Sequence, residues 1–153
     1  MKLIGKTGLS GVLEKATVAL MAIALLLMLS LPWTIPFITK EEFNSPDGFY
    51  MKYLIVLLLS GVIAELILWQ ARGIMHNVNN GKSFCRDTVR RLRVMGWECL
   101  AVGLVYGAAV FFVTKIFMAV VLVTFAVVGS TLLVISELFR QAVEYKEEND
   151  MTI

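Results

Sequence analysis

One stretch decides the fold of this chain: residues 116–139 read IFMAVVLVTFAVVGSTLLVISELF, with Glu137 as the sole charged residue. An α-helix rises about 1.5 Å per residue, so about 20 apolar residues cross a hydrocarbon core of about 30 Å. The stretch exceeds that length, and its acid lies near its end. It therefore predicts a membrane-spanning helix.

Three further apolar runs of similar length precede it, at residues 18–38, 50–71 and 94–113. The chain of 153 residues is 58% hydrophobic and 17% charged, whereas soluble domains are about 45–50% apolar and about 25% charged. This composition excludes an ordinary soluble domain. We expect one all-α domain over residues 1–153, a polytopic four-transmembrane-helix bundle in contact with the lipid bilayer.

The distribution of lysine and arginine predicts the orientation of the four spans. Of the 14 Lys and Arg residues, eleven fall in the N-terminal segment, the loop 72–93 and the tail 140–153, and three fall on the other side. Short loops rich in Lys and Arg stay in the cytoplasm. The loop, the tail and both termini are therefore predicted to be cytoplasmic.

The predicted cytoplasmic loop 72–93 is the first candidate for a functional surface. Ser83 is suited to cap a helix that continues into the third span, because its hydroxyl can accept a backbone N–H bond. The arginines of this loop either hold it inside and contact anionic lipid, or form a docking surface for a partner. They are Arg86, Arg90, Arg91 and Arg93.

The tail after Phe139 is the second candidate, and we expect it to extend the fourth helix by two or three turns. Its acidic residues either pair with the basic loop within the chain or bind a cytosolic partner, and a solvated helix end is the simpler alternative. The partner-binding candidates in the tail are Glu147, Glu148, Asp150 and Ile153.

Polar side chains inside the spans are the third candidate. Glu65 and Gln70 lie in the second span, and Glu98 lies in the first turns of the third. A charge in the hydrocarbon costs several kcal/mol, about 2.5–3.5 on insertion scales, unless it is paired, protonated or near the interface. These residues form either a proton, switch or ligand site or a structural pair that fixes helix packing.

Small residues in the third span predict close helix packing. Gly96, Gly103 and Gly107 share one helix face, and such positions let helices approach closely in lipid. The two cysteines, Cys85 and Cys99, have no metal-site spacing and lie in or beside the predicted cytoplasmic side. We therefore expect neither a disulfide nor a metal site.

Motifs of cofactor binding and catalysis are missing from the sequence. It has no Gly-rich phosphate loop, no Ser/His/Asp arrangement and no His-Glu-x-x-His motif. We therefore expect no cofactor and no enzymatic activity. The basic loop lacks interleaved aromatic residues, so direct nucleic-acid binding is not expected either.

Two local signatures resemble a known family. Residues 80–84 (NGKSF) followed by 90–93 (RRLR) resemble the intracellular-loop signature of the bacterial domain-of-unknown-function family 2975, and residues 145–153 (YKEENDMTI) resemble its C-terminus. The resemblance implies four spans in the bacterial cytoplasmic (inner) membrane. It also implies a regulatory role, because genes of this family often adjoin one for a small Cro/repressor-like helix-turn-helix protein.

Two functional hypotheses follow. The first is a non-enzymatic sensor or sequestering partner of a small cytosolic helix-turn-helix regulator, contacted by the loop arginines and the acidic tail, with Glu65 or Glu98 as switch groups. The second is a small transport or ligand-binding protein, assembled as a homo-oligomer, whose site centres on Glu65, Gln70 and Glu98.

Overall fold

The protein is built from four α-helices in a computed structural model that describes residues 8–38, 49–113 and 116–151. The described chain contains no strand, and each helix is long and apolar enough to cross a membrane. The predicted all-α, four-span architecture is confirmed. The helices are α1 (Leu9–Ile38), α2 (Phe49–Asn79), α3 (Arg86–Val113) and α4 (Ile116–Met151).

The helices are longer than a bilayer core is thick. They contain 28–36 residues, which corresponds to about 42–54 Å at about 1.5 Å per residue, against a core of about 30 Å. Each helix therefore projects beyond the hydrocarbon. The projecting turns of α2, α3 and α4 contain all six arginines.

The helices pack in chain order as an open row. Within the described residues α1 packs on α2, α2 on α3 and α3 on α4, and α1 does not approach α4. The central helix is α3, with 33% of its most apolar window buried, against no more than 11% for the others. We call the end where α1 and α3 begin and α2 and α4 end the basic end.

The tightest packing in the row is between α3 and α4. A Cβ atom built on Gly129 would lie 2.9 Å from the carbonyl oxygen of Gly96, so the two backbones touch at this crossing. Gly103 faces the same helix, because its Cβ would lie 3.5 Å from the carbonyl oxygen of Leu122. Gly107 meets only the Leu122 side chain, at 3.4 Å. Small residues thus bring the two helices together.

An apolar cluster joins α3 to both neighbours nearer the other end. Val102, Tyr106 and Ala109 of α3 are buried with Met118 of α4. The Tyr106 hydroxyl lies 3.4 Å from the Ser60 hydroxyl of α2, within hydrogen-bond distance. Partly buried side chains of α2 and α4 complete the cluster: Tyr53, Val56, Ile63, Ile67, Val121, Leu122 and Phe125.

A groove of about 520 Å³ remains where α1 and α4 do not meet. Its lining is apolar and comes from all four helices, including Met28, Gly61, Tyr106 and Phe125. Most large apolar side chains elsewhere in the row are exposed. Such a surface is unsuited to water and suited to lipid, in agreement with the spans.

The connection between α2 and α3 is shorter than the predicted loop 72–93, because α2 continues to Asn79 and α3 begins at Arg86. The predicted N-cap at Ser83 is wrong. Gly81 has a φ of 70°, and the Lys82 N–H donates to the Asn77 carbonyl at 2.9 Å. This turn closes α2 and uses residues 80–82. Residues 83–85 then lead to the start of α3 at Arg86, so Ser83 lies too early to cap it.

Cys85 occupies the N-cap position instead. Its carbonyl accepts the Val89 N–H at 3.3 Å, which is the first helical bond of α3. Its Sγ lies 3.3 Å from the Thr88 hydroxyl, and Thr88 is the third residue of the helix. A side chain at the cap thus contacts the first turn, as Ser or Thr would at this position.

Candidate functional site

A charged surface runs along the exposed sides of α3 and α4 at the basic end. Residues spaced by three or four positions share one face of a helix, so three of the four arginines of α3 line up opposite charged residues of α4. We call this surface the charged seam. It consists of Arg86, Arg90, Arg93, Glu137, Arg140, Glu144 and Glu147.

Ion pairs across the seam join the two helices. Arg86 donates to both carboxylate oxygens of Glu147, at 3.0 and 2.6 Å. Arg93 donates to Glu137 at 3.3 Å. Arg140 pairs with Glu137 and Glu144 along α4 itself. The basic segment and the acidic tail, whose pairing the sequence left open, therefore pair with each other.

An apolar layer beneath the seam keeps the two projecting helices together. Val89, Leu92 and Val143 are buried there. The rings of Phe84 and Phe139 stack with their centroids 5.4 Å apart. The tail is thus an ordered continuation of α4 packed on α3, and the seam lies on a fixed scaffold.

The other partner-binding candidates differ in their exposure and in the contacts that they form. Arg90 is exposed and forms no hydrogen bond or ion pair within the described part of the chain. Glu148 is also exposed. Asp150 belongs to α4, although its side chain is not described, and Ile153 lies outside the described residues.

Arg91 points to the other side of α3, toward α2. Its Nε donates to Asp87 at 2.8 Å, and one terminal nitrogen donates to Gln70 at 3.3 Å. Its guanidinium occupies the space that a side chain on Gly73 would need. Asn77 also donates to Asp87, at 2.9 Å. Arg91 therefore stabilises the α2–α3 contact and is not available to a partner on the seam.

The buried polar candidates do not form one site. The Gln70 side chain lies close enough to Glu98, across the α2–α3 contact, to interact with its carboxyl group. Glu65 precedes Gln70 by five residues, which at 3.6 residues per turn rotates it by about 140° around α2. It therefore lies on a different side of the helix. One carboxylate oxygen of Glu65 and one of Glu98 are buried without a hydrogen-bond partner in the described chain.

A polar cluster that the sequence did not single out joins α1 to α2. Glu14 accepts hydrogen bonds from the His76 ring at 3.1 Å and from the Asn79 amide. The same amide nitrogen donates to the Ser10 carbonyl at 3.3 Å, and Asn80 donates to the other ring nitrogen of His76 at 3.0 Å. In the sequence, only the position of Glu14 as the first acidic residue of the chain could have pointed to it.

These features define a multi-pass helical membrane protein whose ion pairs, within the described residues, gather at one end of its helices. Residues 28–153 match the family described as Protein of unknown function (DUF2975), and the chain belongs to that family. The resemblance seen in the loop and tail signatures is thereby confirmed. The matched region contains the whole charged seam and begins after Glu14. No curated protein and no solved structure matches the chain.

Proposed function

We propose that this protein is a non-enzymatic membrane protein that holds a small cytosolic helix-turn-helix regulator at the bacterial inner membrane. The observation that carries the proposal is the charged seam. It stands on an ordered extension of α3 and α4 beyond the predicted spans, where a cytosolic protein can reach it.

The seam is suited to reversible binding because its ion pairs are exposed. The side chains of Arg86 and Glu147 are 80% and 42% exposed, and those of Arg93 and Glu137 are 49% and 45% exposed. Exposed ion pairs contribute little to stability. Charged groups of a partner can therefore replace them without unfolding the scaffold beneath.

The acidic tail fits a DNA-binding partner. Glu144, Glu147, Glu148 and Asp150 fall within seven residues, and this stretch belongs to a helix. A helix-turn-helix protein presents cationic side chains to the phosphates of DNA. Carboxylates of the tail would engage the same cations, so binding at the membrane and binding to DNA would exclude each other.

The proposal requires the basic end to face the cytoplasm, with both termini inside. This orientation rests on the Lys and Arg distribution. Cys85 tests it, because its side chain is partly exposed in the α2–α3 connection, whereas Cys99 is buried. A membrane-impermeant maleimide should label the protein in inverted membrane vesicles and not in intact cells, and Cys85→Ser should remove the signal. Labelling of Cys85 in intact cells would show that the orientation is the opposite of the proposed one.

Deletion of residues 147–153 tests the regulatory role. The deletion leaves all four spans intact, so we expect normal insertion and a changed transcript level for the operon that the regulator controls. RNA sequencing measures the second effect, and an immunoblot of the membrane fraction measures the first. An unchanged transcript profile at a normal protein level would count against the proposal.

The transport alternative has less support. It requires Glu65, Gln70 and Glu98 to share a site, and only Gln70 and Glu98 are in contact. Glu65 lies on another side of α2, and none of the three residues lines the groove between α1 and α4. The Gln70–Glu98 interaction is more consistent with a structural pair between α2 and α3.

A further inference from the structure

A cavity of about 590 Å³ lies between the start of α1 and the end of α2. This volume is within the usual range of ligand pockets, about 300–1,000 Å³. Val18 lines it and begins the first predicted span, whereas Lys15 and Arg72 line it just outside the spans. The cavity therefore lies where the hydrocarbon meets the headgroup layer.

Two cations in this cavity are available to a ligand. Lys15 and Arg72 are exposed, and neither forms a hydrogen bond or an ion pair within the described chain. Arg72 is near enough to Glu14 to interact with it electrostatically. Two cations in one cavity favour an anion, and arginine is suited to phosphate because its planar fork of donors matches phosphate oxygens.

Glu14, the acid in the cavity, forms no ion pair with Lys15 or Arg72 in the described chain. Glu14 already accepts hydrogen bonds from His76 and Asn79. These bonds hold the side chains of His76 and Asn79 in place in the cavity wall. With one carboxylate against two cations, the lining keeps a net positive charge, which favours an anionic ligand.

Asn79 adds an acceptor to the two cations. Its amide nitrogen donates to Glu14 and to the Ser10 carbonyl, and these two acceptors fix the orientation of the amide. Its oxygen is buried, with no donor in the described part of the chain. A buried acceptor without a donor is costly, and a hydroxyl of the ligand would supply the missing bond.

We propose that this cavity binds a phosphate ester that carries a hydroxyl group, in the form of the glycerol-phosphate headgroup of an anionic phospholipid. Lys15 and Arg72 bind the phosphate, and the Asn79 oxygen accepts from a headgroup hydroxyl. A second cavity of about 330 Å³ shares Arg72 and His76 and is lined by Trp69. Tryptophan is typical of the membrane interface, which favours the lipid over a soluble ester.

Native mass spectrometry of the purified full chain tests the proposal, with phosphatidylglycerol as the probe and phosphatidylcholine as the lipid control. The variant is Lys15→Gln with Arg72→Gln. The matched control is Lys82→Gln with Lys146→Gln, which removes two positive charges at exposed positions outside the cavity. Circular dichroism confirms that both variants remain folded.

We expect one tightly bound phosphatidylglycerol in the parent and in the matched control. In the cavity variant the affinity should fall about 25-fold, roughly fivefold for each cation. Equal loss in both double variants, unchanged binding in the cavity variant, or equal binding of phosphatidylcholine would overturn the proposal. Glycerol 3-phosphate is then added as a soluble competitor. Retention of the lipid supports the bilayer source, and displacement overturns it in favour of a soluble ester.

Discussion

Replacing Gly129 by alanine is expected to separate α3 from α4 and to destabilise the protein. The new Cβ would lie 2.9 Å from the Gly96 carbonyl oxygen and 2.9 Å from the Cγ of Leu100. A backbone carbonyl cannot rotate away as a side-chain end can. The two helices must therefore move apart where Gly129 crosses Gly96.

The expected cost is about 1–3 kcal/mol of the free energy of unfolding, which is the usual range for overpacking a close contact. Gly96→Ala should act in the same direction, because its Cβ would lie 3.2 Å from the Gly129 carbonyl oxygen and 2.9 Å from a Leu133 methyl. Unfolding of the purified protein in mixed micelles with increasing SDS measures the change.

Gly107→Ala is the matched control. It lies on the same face of α3, but its Cβ would meet only methyl groups of Leu122, at 3.4 and 3.6 Å. The gain in helix propensity from glycine to alanine is shared by all three variants. Equal stability of Gly129→Ala and Gly107→Ala would show that the α3–α4 crossing is looser than described.

The spans could be predicted from sequence because length and hydropathy are local properties. Each run of about 20 apolar residues specifies a spanning helix whatever its neighbours are. The face of α3 that holds Gly96 and Gly103 also followed from spacing. The matching Gly129 did not, because one helix does not reveal which residue of another will lie opposite it. That requires the register between α3 and α4.

For the candidate site, too, the residues could be predicted from the sequence and their contacts could not. The sequence identified Arg86 and Glu147 as functional candidates, but it could not tell whether they face each other or a partner. Their pairing depends on α4 remaining helical for about two turns beyond Phe139, as far as Glu147, and on its rotation against α3. Arg91 and Arg90 are adjacent in sequence and yet have different surroundings, because a step of about 100° turns one toward α2 and leaves the other exposed.

The polar residues inside the spans show that a position within the bilayer does not by itself predict a contact. Glu65, Gln70 and Glu98 all lie inside the predicted spans, and the transport hypothesis placed them in one site. Depth in the bilayer is set by position along a helix, whereas contact also requires a shared side. The rotation of α2 brings Gln70 to Glu98 and turns Glu65 away.

Loss of a captured regulator is the second large effect that we expect, and it tests the central claim most directly. Tagged protein is purified from native membranes, and small cytosolic proteins that accompany it are identified by mass spectrometry. Three variants are compared with the parent: deletion of residues 147–153, a tail with amides at Glu147, Glu148 and Asp150, and Lys82→Gln. The last removes an exposed charge outside the tail.

The amide tail keeps the length of α4 but removes three negative charges, so it separates charge recognition from simple truncation. We predict that a small helix-turn-helix protein accompanies the parent and the Lys82→Gln variant and is lost from both tail variants. Capture of that protein by all four forms, or by none of them, would contradict the proposal that the acidic tail and the charged seam hold a regulator at the membrane.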